Sequence, residues 1–173
     1  MRADPIHIAV LAGGQSRRMG RDKALLTLNG QTLIECVLAA AHPLECTTFI
    51  VGDPAAYAQL GPPVYPDHRP DLGPIGGLST ALELAAGPVL LLACDLPFLT
   101  PEFLRYLISR RGTHQARVPS TAEGSQPLCA LYEPSCLEVI AAAIGAKRLS
   151  MRGLLAQLNV DEVKEENWRT YDE

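Results

Sequence analysis

Residues 6–23 read IHIAVLAGGQSRRMGRDK. The apolar run Ile6 to Leu11 reads as a β-strand, and Leu11 to Lys23 reads as the loop it feeds, ahead of a helix. Gly13 and Gly14 let the main chain turn sharply and bring amide N–H groups close to a ligand with no Cβ in the way. Arg17, Arg18, Arg21 and Lys23 then crowd four cations into that loop, and only Asp22 offsets them locally. On a chain of formal net charge −4, such a cluster reads as a local anion site rather than part of a basic face. A flexible backbone with concentrated positive charge at a strand end suits a triphosphate; the competing reading is a solvated surface loop.

Two familiar phosphate loops do not fit the spacing. Lys23 comes too late after Gly20 for a Walker loop, and Ala24 replaces the hydroxyl residue that would hold magnesium. The dinucleotide fingerprint interleaves its glycines inside a tight turn, and here Gln15 to Met19 fill that space.

Further along, Thr47 to Val51, Val89 to Ala93, Ala116 to Val118 and Leu128 to Tyr132 also read as strands. Thr32 to Ala41, Gly76 to Ala86, Thr100 to about Arg110, Ser135 to Ile144 and Ser150 to Leu158 read as helices. Thr100-Pro101-Glu102 is a helix start, with a hydroxyl cap, proline in the first turn and an early carboxylate. Ser120 to Ser125 reads as a loop between strands, and five prolines between Gly61 and Gly77 make that region a stiff, shaped loop. Alternating strands and helices imply an α/β fold, a Rossmann-like three-layer sandwich with a mostly parallel sheet covered on both faces.

At 173 residues, 47% of them hydrophobic, the chain fits one globular domain, residues 1–173, with a real core. The acidic balance and the small basic cluster argue against nucleic acid as a partner. No apolar run approaches the ~20 residues that span a bilayer, and the N-terminal residues lack a signal-peptide core, so no membrane and a cytoplasmic setting are expected. The oligomeric state is left open, with a monomer favoured. Cys36, Cys46, Cys94, Cys129 and Cys136 show no CxxC spacing and read as free, partly buried thiols. His7, His42, His68 and His114 form no pair at metal-ligand spacing, and Ser79, Ser125 and Ser150 lack a nucleophile elbow.

In open parallel sheets, ligands bind beyond the carboxyl ends of the strands, near the switch in strand order. Leu11 to Gly14, Asp67 after the short Val64-Tyr65 run, and Asp95 after Val89 to Ala93 all follow strands. Topology therefore gathers them at one edge. A carboxylate such as Asp95, ending a very apolar strand beside a triphosphate, can hold Mg²⁺; otherwise it is a turn residue before Leu96-Pro97. Asp67 reads either as a nucleotide contact or as an Asx turn in Pro66-Asp67-His68.

The loop LAGGQSRRMGRDK resembles the LAGGxSxRMGxDK signature of the molybdenum cofactor guanylyltransferases, within the nucleotidyltransferase superfamily. The resemblance continues in order at Tyr65 to Asp67, at GPIGG (Gly73 to Gly77) and at ACDLPFL (Ala93 to Leu99). It fades after about Glu133. Family members usually carry an Asn-x-Asn-Thr-Pro segment near the end, whereas this sequence closes with WRTYDE. Asp172 and Glu173 are the acidic side chains there, at a chain end where fraying is expected.

The resemblance implies a nucleotidyltransferase that joins GMP from GTP to the phosphate of molybdopterin-type cofactor and releases pyrophosphate. It implies nucleotide binding by Leu11, Ala12, Gly13, Gly14, Lys23, Asp67 and Asp95. It also implies Mg²⁺ on Asp95, and Lys23 and Arg18 as the cations that stabilise phosphate and leaving-group charge. Arg17 and Arg21 are weaker candidates for contact. LAGG and GPIGG favour the guanylyl branch over a cytidylyltransferase on the same acceptor or a sugar-1-phosphate nucleotidyltransferase. A nucleotide-binding regulatory protein without turnover is the alternative of a different class. Gln126 and Pro127 are candidate walls of the acceptor pocket.

Overall fold

Period-two alternation along the strands sorts the apolar residues onto the two faces of one sheet. A computed structural model describes residues 4–13, 22–110 and 112–167. Gly14, Arg17, Arg18, Arg21, Asp172 and Glu173 lie outside the described residues. The chain runs through β1 (His7–Leu11), a 3-10 turn (Lys23–Leu25), β2 (Thr27–Leu28), β3 (Gln31–Thr32) and α1 (Leu33–Ala41). It continues through β4 (Thr47–Val51), α2 (Pro54–Tyr57), β5 (Val64–Tyr65), α3 (Pro74–Ala85), β6 (Val89–Ala93) and α4 (Pro101–Ser109). It closes with β7 (Ala116–Thr121), β8 (Gly124–Ser125), β9 (Cys129–Tyr132), α5 (Cys136–Gly145), α6 (Met151–Leu155) and β10 (Val160–Lys164).

The main sheet has the order β10-β7-β9-β6-β1-β4-β5, with β8 paired to β7. β1 pairs in parallel with both β4 and β6, β5 joins β4 in parallel, and β10 joins β7 in parallel. β9 alone in that row runs against its two neighbours, β6 and β7. The fold is the α/β sandwich with a mostly parallel sheet that the sequence predicts. Because the chain leaves β1 toward β4 and β5 and returns to β6 on the other side, the switch in strand order lies at β1 and β6.

Ala9, Phe49, Val51, Val89, Leu91 and Ala130 face α3, α5 and α6 on one side of the sheet. Ile8, Val10, Ile50, Leu90, Leu92 and Leu131 face α1 and α4 on the other. β6 (VLLLA) is buried at all five positions, as expected of a central strand covered on both sides. Truncating one of its leucines to alanine costs about 2–5 kcal/mol. All five cysteines are free. Among the described residues no helix is long and apolar enough to cross a membrane.

The helix starts follow their caps. Thr32 and Glu35 form a reciprocal capping box at α1, the Glu35 carboxylate accepting from Thr32 N at 2.7 Å. Thr100 Oγ1 accepts from Phe103 N at 3.2 Å at α4. Several segments differ from expectation. β7 runs on to Thr121 and turns into β8, so 120–125 is a hairpin rather than a plain loop. α3 begins at Pro74, ahead of the glycines, and α6 ends at Leu155. The sequence reading missed α2, β10 and the β2–β3 hairpin on Asn29-Gly30.

Candidate functional site

The carboxyl ends of β6, β1, β4 and β5 lie side by side, and backbone hydrogen bonds extend the sheet one residue past them. Cys94 N donates to Leu11 O at 3.1 Å, Ala12 N to Val51 O at 2.9 Å and Gly52 N to Tyr65 O at 2.9 Å. The edge therefore carries Ala12-Gly13, Gly52-Asp53, Pro66-Asp67 and Cys94-Asp95 in a rigid row. Gly13 has φ +127, a conformation that a side chain resists, with open space where a Cβ would be. A ligand can therefore approach the main chain closely at this turn.

The GPIGG glycines have a packing reason. A Cβ on Gly76 would stand 2.4 Å from the Arg69 carbonyl oxygen, and one on Gly77 would stand 3.0 Å from Leu11 Cδ2. Their bareness lets α3 pass beneath the end of β1 and against the loop that carries Asp67.

Asp95 is exposed and its carboxylate takes no hydrogen bond from a described residue. Next to it, burial pushes the Cys94 thiol up to about 11. The Asp95 and Asp22 carboxylates push the same way, and a backbone hydrogen bond from Gly13 opposes them. One sulfur thus senses Asp95, Asp22 and Gly13 together, and the thiol stays protonated and unreactive at neutral pH.

Lys23 opens the 3-10 turn and is exposed; Asp22 caps it, Oδ1 accepting from Ala24 N at 3.0 Å. Ala24 is fully buried against α1 and Tyr57, which is why an alanine stands where a Walker loop has its hydroxyl. The Tyr57 hydroxyl donates to Asp22 Oδ2. Sequence reasoning treated Asp22 only as a charge offset and missed Tyr57. The available signal was an aspartate just before a short apolar turn, the pattern of a cap.

Asp67 follows β5 and forms the Asx turn: Oδ1 accepts from Arg69 N at 2.8 Å and from Thr80 Oγ1 at 2.8 Å. Thr80, fully buried on α3, also accepts from His68 N. Glu83 completes the clamp with Arg69 Nη1 at 2.9 Å and His68 Nδ1 at 3.3 Å. Asp67 Oδ2 takes no hydrogen bond from a described residue. From β6 to β5 the edge spans three strand spacings, about 14 Å, so Asp67 and Asp95 stand at opposite ends of the row.

A cavity of about 470 Å³ opens beside Asp95, lined also by Ala93, Leu96, Ser125, Gln126 and Arg152. Gln126 and Pro127, candidate acceptor walls in the sequence, both line this cavity. Lys23, Asp67, Asp95 and the described part of the glycine turn share one edge; Gly14 and Arg18 lie outside the described residues. No cluster of three or more His, Cys, Asp or Glu that could hold a metal occurs among the described residues.

The comparisons fit this arrangement. A protein of Pelotomaculum thermopropionicum named probable molybdenum cofactor guanylyltransferase is 34% identical over 92% of this chain and 79% of its own. A protein of the same name from Carboxydothermus hydrogenoformans is 37% identical over 77% of this chain and 68% of its own. The crystal structure of molybdopterin-guanine dinucleotide biosynthesis protein A from Archaeoglobus fulgidus superposes with a TM-score of 0.81 at 30% identity, covering 96% of this chain and 87% of that one. A family model for the MobA-like NTP transferase domain matches residues 8–163, and the chain belongs to that family of nucleotidyltransferases.

Proposed function

We propose that this protein transfers GMP from GTP to the phosphate of a molybdopterin-type molybdenum cofactor and releases pyrophosphate. The observation that carries the reading is the pairing of Gly13 and Asp95 across the β1–β6 switch point, tied by the Cys94 N to Leu11 O bond. A glycine turn open to close approach and an exposed carboxylate side by side suit a nucleotide triphosphate and its metal. The choice of guanine and of the acceptor rests on the names of the relatives.

A nucleotide lying along the edge fits the row of strand ends. Its triphosphate meets Gly13, Lys23 and Asp95, with Arg18 from the same loop, and its ribose or base meets Oδ2 of Asp67. An acceptor phosphate oxygen attacks the α-phosphorus, the bond to the bridging oxygen of the β-phosphate breaks, and pyrophosphate leaves with its electron pair. The acceptor is already an anion, so no strong base is needed. What the protein supplies is alignment and positive charge on the departing phosphates.

The donor set fits a divalent ion, and Mg²⁺ in particular. A single exposed carboxylate without a hydrogen-bond partner among the described residues matches an ion that keeps several waters and shares the rest of its coordination with phosphate oxygens. Asp95 would hold it, and it would screen the repulsion between the two polyanions.

Pyrophosphate release tests the reading, with GTP, CTP, ATP and UTP each offered with and without molybdopterin in Mg²⁺ buffer. Release from GTP that depends on the acceptor is expected. Preference for CTP would move the protein to the cytidylyl branch, and GTP binding without release would make it a nucleotide-binding regulator.

A further inference from the structure

The cavity beside Asp95 has a second polar wall, built from the β7–β8 hairpin and α6. Gln126 follows the hairpin, and its Nε2 donates to the Gly124 carbonyl at 3.2 Å and to Thr121 Oγ1 at 3.3 Å. A carbonyl can only accept, so Gly124 fixes which end of the amide is nitrogen. Gln126 Oε1 is then left as an acceptor with no hydrogen bond from a described residue. Arg152, on α6, leans on the same hairpin: a Cβ on Gly124 would lie 3.6 Å from its Nη2. It is the one cation among the described residues lining the cavity. It is exposed and makes no ion pair with a described residue. The carboxylates of Glu123 and Asp95 line the same space, yet neither is within ion-pair distance of it.

A planar guanidinium with a fork of donors recognises phosphate by two oxygens at once. A lone amide oxygen nearby recognises an N–H. A ligand for this wall therefore carries an anionic phosphate and a hydrogen-bond donor, a description that a phosphorylated heterocycle with a ring or amino N–H meets. Among the described residues, the strand ends of β1, β4 and β5 contribute nothing to the wall, and from the donor edge only Asp95 and its neighbours reach the cavity.

We propose that this wall is the acceptor subsite, with Arg152 taking two oxygens of the acceptor phosphate and Gln126 Oε1 accepting from the pterin-type heterocycle. The assignment rests on the nucleotidyl-transfer reading above. Two phosphate oxygens held by Arg152 leave the third free to attack, in the cavity that Asp95 shares. Arg152 thereby selects a phosphorylated acceptor, and Gln126 selects the ring attached to it.

Steady-state kinetics of the wild type, Arg152→Ala, Arg152→Lys and Gln126→Leu, with molybdopterin and GTP each varied at saturating partner, test this. Calorimetric GTP titration without acceptor and thermal melting of each variant accompany them. Arg152→Ala is expected to raise the acceptor KM about tenfold or more while the GTP Kd stays within about twofold of wild type. Arg152→Lys recovers part of the loss, because the charge returns without the fork. Gln126→Leu raises the acceptor KM about fivefold with the same unchanged GTP binding. A wild-type acceptor KM in Arg152→Ala, or an equal shift in GTP Kd, overturns the assignment while leaving guanylyl transfer standing. A wild type that binds GTP but transfers nothing overturns the functional reading and this subsite with it.

Discussion

Tyr57, a residue only 2% exposed, donates its hydroxyl to Asp22 Oδ2 across 35 positions of chain. Burial and that carboxylate together push the Tyr57 phenol well above its ordinary range, so it remains a donor at every working pH. Asp22 also caps the turn that starts at Lys23. A core tyrosine thus fixes the exit of the cationic loop and, through it, the backbone that presents Lys23.

Tyr57→Phe removes that donor and leaves a half-buried carboxylate short of a partner. We expect a loss of about 1–3 kcal/mol in stability and weaker GTP binding, since Lys23 is no longer pinned. Denaturant unfolding and GTP calorimetry check the two effects. Unchanged values in both would make the bond incidental.

Asp95→Asn is expected to fold like the wild type, because the residue is exposed, and to lose turnover about a hundredfold or more. Kinetics across a Mg²⁺ titration give the answer. Near-normal turnover at ordinary Mg²⁺ would leave Asp95 a turn residue.

Lys23→Ala should cost about 2 kcal/mol in kcat/KM, the low end for a preorganised charge, because solvent reaches the ammonium. Arg18→Ala is expected to cost a comparable amount. Wild-type kcat/KM in both would make the loop a solvated face.

Gly76→Ala drives a methyl group into the Arg69 carbonyl. Overpacking of that kind costs about 1–3 kcal/mol, and the strain falls on the loop that carries Asp67. A lowered melting temperature together with weaker GTP binding is the expected pair, whereas a loss of stability alone would uncouple this loop from the nucleotide.

Acid should loosen the same loop. Burial raises the Glu83 carboxyl, but hydrogen bonds from His68, Arg69 and Ser79 and the Arg69 charge outweigh it, and the net shift is below the ordinary 4.5. A carboxylate depressed in the folded state stabilises above its unfolded value, and that contribution is lost as pH falls through the folded value. Melting temperature against pH from about 6 to 3 should therefore drop less steeply in Glu83→Gln than in the wild type. Parallel curves would remove Glu83 from the acid response.

The segments legible in the sequence were those where one local force dominates. β6 announced itself because every position is buried, and α4 because Thr100 and Pro101 signal a start before any packing is known. Asn29-Gly30 carried a hairpin signal, but its strands have only two residues each, too few for alternation to register. β10 (VDEVK) is a polar edge strand in which only Val163 is buried, so its apolar pattern is nearly silent. The start of α3 was obscured because Gly76 and Gly77 look like loop residues until the crowding around them is seen. At the site, residues bound to strand ends were readable from topology. Tyr57 and Arg152 were not, since their roles depend on contacts between segments distant in sequence.

The reversal of β9 has a consequence for how the molecule can change over generations. Because β9 runs against β6, its entry, Gln126 to Leu128, rather than its exit, arrives at the edge where β6 ends. The described strand-end residues proposed for the donor come from the first 95 positions, and the distinctive polar groups of the facing wall come from 123–152. On the proposed assignment, two stretches of gene therefore govern two sides of one chemical event. Exchange of the hairpin and α6 offers a route to a new acceptor that leaves the machinery for activating the nucleotide untouched.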